Sequence, residues 1–179
     1  MNRTLINAVL YQATWFASVI GAAHGWWWSG AIVLLIFASW QLADRNSHFV
    51  DLRLVAAALA CGLLIDTTLV WSGSVNFATP IPFAALAPLW ILVLWAAFAL
   101  TLNHSLAALQ KHLWIAAAIG AVGAPLAYMA AARSFHAITL DPPEWHAIGL
   151  LAGTWALALP LLLILARRWS LEAVAVRPA

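Results

Sequence analysis

The sequence predicts an all-α, polytopic membrane protein: a six-helix transmembrane bundle with both termini in the cytoplasm. Hydrophobic residues make up 65% of the 179 positions and charged residues only 8%, whereas about a quarter of the residues of an ordinary soluble domain are charged. Six apolar stretches approach the length of about 20 residues that a helix needs to cross a bilayer. The basic residues, finally, are distributed unevenly among the segments that connect these stretches.

The six stretches are predicted to be helices because none of them alternates polar and apolar residues as a membrane barrel strand does. In the first stretch, Asn7 and Gln12 interrupt the apolar run, which favours an uncleaved helix over a signal peptide. The connections are too short for an extramembrane domain, so we expect one transmembrane domain over residues 1–179. The predicted spans are 5–23, 26–43, 54–71, 83–102, 113–132 and 145–166.

The basic residues predict the orientation of these spans. Seven of the eight fall on the side of the N-terminus, and only Arg133 falls on the other side. Basic residues are enriched in cytoplasmic segments, so this bias places both termini in the cytoplasm. The seven are Arg3, Arg45, Arg53, Lys111, Arg167, Arg168 and Arg177.

Charge and motif content exclude several other classes of protein. The net charge of +2 is too small and scattered to indicate a nucleic-acid partner, and a single cysteine, Cys61, excludes a disulfide framework. No histidine pair has metal-ligand spacing, and no phosphate-binding loop, serine-hydrolase elbow or dinucleotide fingerprint is present. We therefore expect no metal and no cofactor.

Small and polar residues recur at helical spacing within the spans, which predicts the faces that point into the bundle. The predicted inward stripes are Asn7, Tyr11, Thr14, Ser18 and Ala22 in the first span; Ala58, Gly62 and Asp66 in the third; Ala96, Ala99 and Asn103 in the fourth; Ala116, Gly120, Ala124 and Tyr128 in the fifth; and His146, Gly149, Gly153, Ala156 and Pro160 in the sixth.

Asp66 is the first candidate functional residue because it is the only acid well inside a span. A carboxylate at that depth is costly unless it is paired or hydrated, and it commonly marks a functional site. A proton relay, a cation site or a general base would each use it. The structural alternative is a protonated or hydrogen-bonded Asp66 that joins helices with the help of Thr67 or Thr68. Tyr128 and His146 are the candidate partners, since both are expected in the same outer half of the membrane.

A second candidate group lies toward the cytoplasmic side. Asn103 and His104 follow the fourth span, and Tyr11 and Gln12 are expected about 10 Å deep from the same face. Together these side chains could bind a polar head group or a phosphate at the membrane edge. The structural alternative is a satisfied helix C-terminus, where Asn and His are both favourable.

Tryptophan is unusually frequent, with twelve in the chain. Eight are expected at the two membrane interfaces, where an indole keeps its N–H near water. The four deeper ones are expected to contribute to packing, with an aromatic ligand cage as the alternative. They are Trp15, Trp90, Trp95 and Trp155.

Three runs of sequence carry a resemblance to a known family: residues 11–16 (YQATWF), 101–106 (TLNHSL) and 123–128 (GAPLAY). The chain resembles an uncharacterised family of small bacterial inner-membrane proteins, described as domain of unknown function 2878. The resemblance implies a multi-pass protein of the bacterial inner membrane. It brings no activity and no site residues, and gives only a hint of lipid chemistry, because such proteins often accompany lipid-modifying genes.

Three hypotheses for function remain open. The first is a protein that binds an apolar or lipid-like ligand in its bundle, with membrane lipids as partners. The second is a lipid-modifying enzyme that uses Asp66 with Tyr128 or His146, or the edge formed by Asn103 and His104. The third is a small proton-coupled transporter with Asp66 as the protonated site. The missing catalytic signature weakens the second, and the missing internal repeat weakens the third. The oligomeric state stays open.

Overall fold

A computed structural model of the chain describes residues 2–43 and 48–175, and in these ranges the protein consists mainly of six α-helices. This confirms the all-α prediction. Four helices are long and apolar enough to cross a membrane, whereas the second and fourth, of 14 and 11 residues, are apolar but shorter. The helices are α1 (Arg3–Ala23), α2 (Ser29–Leu42), α3 (His48–Trp71), α4 (Leu89–Ala99), α5 (Leu113–Arg133) and α6 (Glu144–Ala175), with a short 3-10 helix at Ala107–Lys111.

The bounds of three helices differ from those of the predicted spans. The fourth helix starts at Leu89 rather than at residue 83, because Pro82 and Pro88 lack a backbone N–H and disfavour helix in the residues before them. The third helix begins earlier, at His48, and the sixth continues to Ala175. The predicted cytoplasmic positions of Arg45 and Arg177 lie outside the described residues.

The structure also contains a two-stranded antiparallel sheet where only connecting segments were expected. Strand β1 (Val75–Phe77) follows α3 and strand β2 (Ile138–Leu140) follows α5, with Asn76 opposite Thr139. Alternate residues of each strand are buried against the helices. We call this end of the bundle the sheet end. The opposite end, where α1 begins and α6 ends, is the terminal end.

The helices pack in two groups joined by the central helices α3 and α4. Helix α1 packs on α2 and α4, α3 packs on α4 and α6, and α5 packs mainly on α6. Within the described ranges α1 and α5 form no extended interface. A gap therefore lies between these two helices on one side of the bundle.

The inward stripes predicted for the first, third and fifth spans are confirmed, since their residues are buried, except for a half-buried Tyr11. The stripe predicted for the sixth span is wrong: His146, Gly149 and Gly153 are exposed. Helix α6 instead buries a face of alanine and leucine. That face comprises Ala147, Leu151, Ala158, Leu159, Leu162, Leu163 and Ala166.

Candidate functional site

Asp66 joins three helices inside the bundle. The residue is completely buried on α3. One carboxylate oxygen accepts a hydrogen bond from Trp95 Nε1 of α4 at 2.7 Å, and the other accepts a hydrogen bond from the Tyr128 hydroxyl of α5. Both oxygens therefore have a donor from a different helix, which is how a buried carboxyl group is accommodated in an apolar interior.

The structure brings together only part of the site predicted around Asp66. Tyr128 is a direct partner, as expected, but His146 is exposed and its ring contacts that of Trp145. Thr67 and Thr68, which were expected to help Asp66 join helices, form their hydrogen bonds with other groups. Thr67 Oγ1 accepts from the backbone N–H of Ala87, and Thr68 Oγ1 donates to the carbonyl of Leu64 in its own helix.

A lateral cleft of about 230 Å³ lies beside this group. Its walls come from α1 and α5, and α4 and α6 form its base. Ile119 and Gly123 line the cleft and are also exposed on α5, so the cleft opens on the side of the bundle. The aromatic part of the lining consists of Tyr11, Trp15, Trp95, Phe98, Tyr128 and Trp155.

Aromatic contacts shape the cleft. At its base, the rings of Trp95 and Trp155 stack with their centroids 4.5 Å apart. Toward the sheet end, Phe135 makes edge contacts with Trp15 and Phe16 at 5.9 and 6.1 Å. Three of the four tryptophans that the sequence places deep in the bundle thus line the cleft, while the fourth, Trp90, is packed in the core.

The cleft and the buried carboxyl group are adjacent. Trp95 and Tyr128, which donate to Asp66, both line the cleft, whereas Asp66 lies behind them. None of the described residues that line the cleft is charged. The arrangement therefore offers an apolar, aromatic surface with a few neutral polar groups, and it keeps the carboxyl group away from any occupant.

A second polar cluster, the terminal network, lies at the terminal end. Its centre is Asp51 of α3, which is completely buried. Asp51 contacts His104 Nε2 at 3.1 Å and accepts from Asn103 Nδ2 at 3.3 Å. Asn103 Oδ1 in turn accepts from Gln110 at 3.0 Å and from Ser170 of α6 at 3.3 Å. The turn after α4 is thereby attached to α3 and α6.

The same network extends to α1 and α2. Asn7 Nδ2 of α1 donates to Gln41 Oε1 of α2 at 2.9 Å and to the Leu100 carbonyl at 2.8 Å. Its amide oxygen accepts from the Ser105 hydroxyl at 2.7 Å. Gln41 Nε2 completes the chain by approaching His104 Nε2 at 2.8 Å. The terminal network therefore connects α1, α2, α3 and α6 through side chains.

The predicted head-group site is divided by this arrangement. Asn103 and His104 belong to the terminal network, Tyr11 lines the cleft, and Gln12 is exposed on α1. These four residues do not form one site. Among the described residues, no group of three or more His, Cys, Asp or Glu is placed to hold a metal ion.

The predicted site lacks two important features, the buried position of Asp51 and the pairing of Trp95 with Asp66. Asp51 lies outside the predicted third span, 54–71, yet it continues the buried stripe of α3 at helical spacing through Leu54 to Ala58. That spacing could have identified it. Nothing in the sequence pairs Trp95 with Asp66, because the neighbour of a helix depends on the packing of the whole bundle.

The fold and the site define a helical protein, with four helices long and apolar enough to cross a membrane, that has a lateral aromatic cleft and a buried carboxyl group behind the cleft wall. Searches among curated proteins and among solved structures give no significant match. The chain belongs to the family described as protein of unknown function (DUF2878), which matches residues 4–161. The matched region includes every residue that lines the cleft, and the match confirms the family resemblance seen in the sequence.

Proposed function

We propose that this protein is a six-span protein of the bacterial inner membrane, with both termini in the cytoplasm, that binds an apolar, lipid-like ligand in its lateral cleft. The observation that carries the proposal is the cleft itself. It is apolar, and it opens on the side of the bundle, where the acyl chains of a bilayer would lie.

The exterior of the bundle supports the membrane assignment. Large apolar side chains are exposed around its circumference, such as Leu35, Leu64, Val122 and Leu157, which are between 59% and 74% exposed. A water-facing surface of this kind would promote aggregation, whereas lipid chains solvate it.

The path of the chain supports six spans. Helix α1 ends at the sheet end and α3 begins at the terminal end, so the chain must cross the thickness of the bundle between these two helices, where α2 lies. The same holds for residues 72–112, between the end of α3 and the start of α5. Although α2 and α4 are short, each therefore forms part of a segment that passes from one end to the other.

The size of the cleft supports a ligand that inserts one chain or ring. Pockets that enclose whole small molecules typically measure about 300–1,000 Å³, and this cleft measures about 230 Å³. Its exposed small residue, Gly123, leaves room at the opening, since a Cβ atom there would meet no other atom within 4 Å.

The burial and hydrogen bonding of Asp66 favour ligand binding over transport or catalysis as the function. Both of its oxygens are occupied by donors, and the side chain is completely buried. A proton carrier or a general base needs access to water or to a substrate. In this arrangement the carboxyl group instead orients Trp95 and Tyr128 in the wall of the cleft.

A photolabelling experiment tests the proposal. The protein is placed in vesicles of phosphatidylethanolamine and phosphatidylglycerol that contain a long-chain fatty alcohol with a diazirine group, and labelled peptides are mapped by mass spectrometry. Gly123→Leu should reduce labelling of the α4 and α6 peptides that line the cleft by about fivefold or more, because leucine fills the opening.

The matched control is Gly153→Leu on α6, where a Cβ atom also meets nothing within 4 Å and which does not line the cleft. This variant should label like the natural protein. Unchanged labelling of the cleft peptides in Gly123→Leu would overturn the proposal.

A further inference from the structure

The cleft contains hydrogen-bond donors that the protein itself does not use. Trp95 and Tyr128 direct their hydrogens to Asp66. The Tyr11 hydroxyl, in contrast, forms no hydrogen bond within the described part of the chain. Trp155 Nε1 is buried and likewise has no partner. An unpaired donor in an apolar environment costs free energy, which an incoming acceptor would recover.

These two donors lie deep in the membrane. Tyr11 is eight residues beyond Arg3 at the start of α1, or about 12 Å along the helix, and Trp155 is eleven residues beyond Glu144 at the start of α6, or about 16 Å. In a hydrocarbon core about 30 Å thick, both lie far from either surface. A phospholipid keeps its charged head group at the surface, so its ester oxygens do not reach this depth.

The lining of the cleft also lacks a partner for a charged ligand. No Lys, Arg or His is among the described lining residues, so nothing would compensate a phosphate or a carboxylate. The nearby acid, Asp66, does not line the cleft and both of its oxygens already accept hydrogen bonds, so no carboxylate faces the cleft to form an ion pair with an ammonium group. Burying an unpaired charge there would be strongly unfavourable.

Building on the proposed function, we infer that the occupant of the cleft is an uncharged lipid with a carbonyl oxygen, of the long-chain ketone or quinone type, that accepts a hydrogen bond from the Tyr11 hydroxyl. A carbonyl oxygen is a hydrogen-bond acceptor and carries no net charge, which matches an uncharged lining in which the Tyr11 hydroxyl is available as a donor. The stacked rings of Trp95 and Trp155 provide an apolar surface for the rest of the molecule.

Competition in the photolabelling assay tests this inference. The competitors are a symmetrical C17 ketone, the C17 alkane and additional phosphatidylglycerol, each compared at its measured mole fraction in the vesicle. In the natural protein, the ketone should halve the labelling at a mole fraction about five- to tenfold lower than the alkane. Tyr11→Phe should abolish that difference and leave competition by the alkane unchanged.

The other outcomes overturn the inference in distinguishable ways. Equal competition by ketone and alkane in the natural protein would refute the carbonyl contact but leave the proposed function intact, provided that Gly123→Leu still lowers labelling. An unchanged ketone preference in Tyr11→Phe would refute the role of Tyr11. Stronger competition by phosphatidylglycerol than by the ketone would identify a phospholipid site instead.

Discussion

At the scale of single residues, the two buried acids of α3 have different surroundings. Asp66 is held by two donors, an indole and a phenol, in the apolar centre of the bundle. Asp51 is held at the terminal end by an imidazole and an amide that belong to a larger polar network. Asp66 stands behind the cleft wall, whereas Asp51 is the centre of the terminal network, so the two acids contribute to different properties: the shape of the cleft wall and the closure of one end.

Replacing Asp66 tests whether the hydrogen bonds to its carboxyl group stabilise the cleft wall. Asp66→Asn has one acceptor oxygen for two donors and places an N–H against one of them, so we expect a loss of about 1–3 kcal/mol in the free energy of unfolding. Denaturation in mixed detergent micelles measures this loss in the free energy of unfolding. Because Tyr128→Phe removes one of the same bonds, the double variant should lose less than the sum of the single losses.

Thr68→Val serves as the control, since Thr68 bonds only within its own helix and is exposed. It should change the free energy of unfolding by less than about 0.5 kcal/mol. If Asp66→Asn unfolds like the natural protein, or if the double variant is strictly additive, the hydrogen bonds to Asp66 do not stabilise the wall.

The sequence could indicate Asp66 but not its surroundings. A single acid within an apolar span is conspicuous because of its solvation cost. Its partners come from α4 and α5, and the rotation of each helix about its axis decides which side chains meet. His146 illustrates this: it lies in the expected half of the molecule, yet α6 turns it outward.

At the scale of helices and strands, the buried face of a helix could be predicted from the sequence where that face differed chemically from the rest of the helix. Polar and small residues mark the buried faces of α1, α3 and α5, because polar groups avoid lipid. Between Ala147 and Ala166, helix α6 is apolar on all sides. Its periodicity could therefore not distinguish the leucine face that packs from the glycine face that does not. The strands could not be predicted because each has three residues and pairs with a distant segment.

The contact between α5 and α6 depends on Gly120. A Cβ atom there would lie 2.3 Å from the carbonyl oxygen of Trp155, which belongs to the backbone and cannot move aside easily. Gly120→Ala should therefore separate the two helices and lower the free energy of unfolding by about 1–3 kcal/mol. Thermal unfolding in detergent would measure the loss.

Gly149→Ala on α6 is the matched control, because a Cβ atom at Gly149 would meet nothing within 4 Å. This variant should be neutral or slightly stabilising, as alanine is the better helix former. Equal stability of Gly120→Ala and the natural protein would contradict a close helix contact at this position.

At the scale of the whole molecule, different structures close the two ends of the bundle, whereas the cleft leaves one side of it open. The terminal network connects four helices at one end, and the sheet covers the other, where Thr79 also donates to the last turn of α1 at 2.8 Å. Between the ends, α1 and α5 remain apart. This arrangement holds the cleft walls in place without an extended interface between α1 and α5 in the described part of the chain.

The distribution of charge over the two ends predicts the orientation of the whole molecule. Arg3, Arg53, Lys111, Arg167 and Arg168 belong to segments at the terminal end, whereas Arg133 lies at the sheet end. With six spans, positions at the sheet end should face the outside of the cell. In a Cys61→Ala background, Ser134→Cys and Thr139→Cys should react with a membrane-impermeant maleimide in intact bacterial cells.

Cysteines at the terminal end should behave in the opposite way. Ala108 and His112 are exposed there, on either side of Gln110, which contacts the terminal network. Ala108→Cys and His112→Cys should therefore react only after the cells are opened. The reversed pattern would show that the basic end faces outward. Labelling of both ends from the same side would contradict six spans, because α3 and α5 each run from the terminal end to the sheet end and must then cross the membrane.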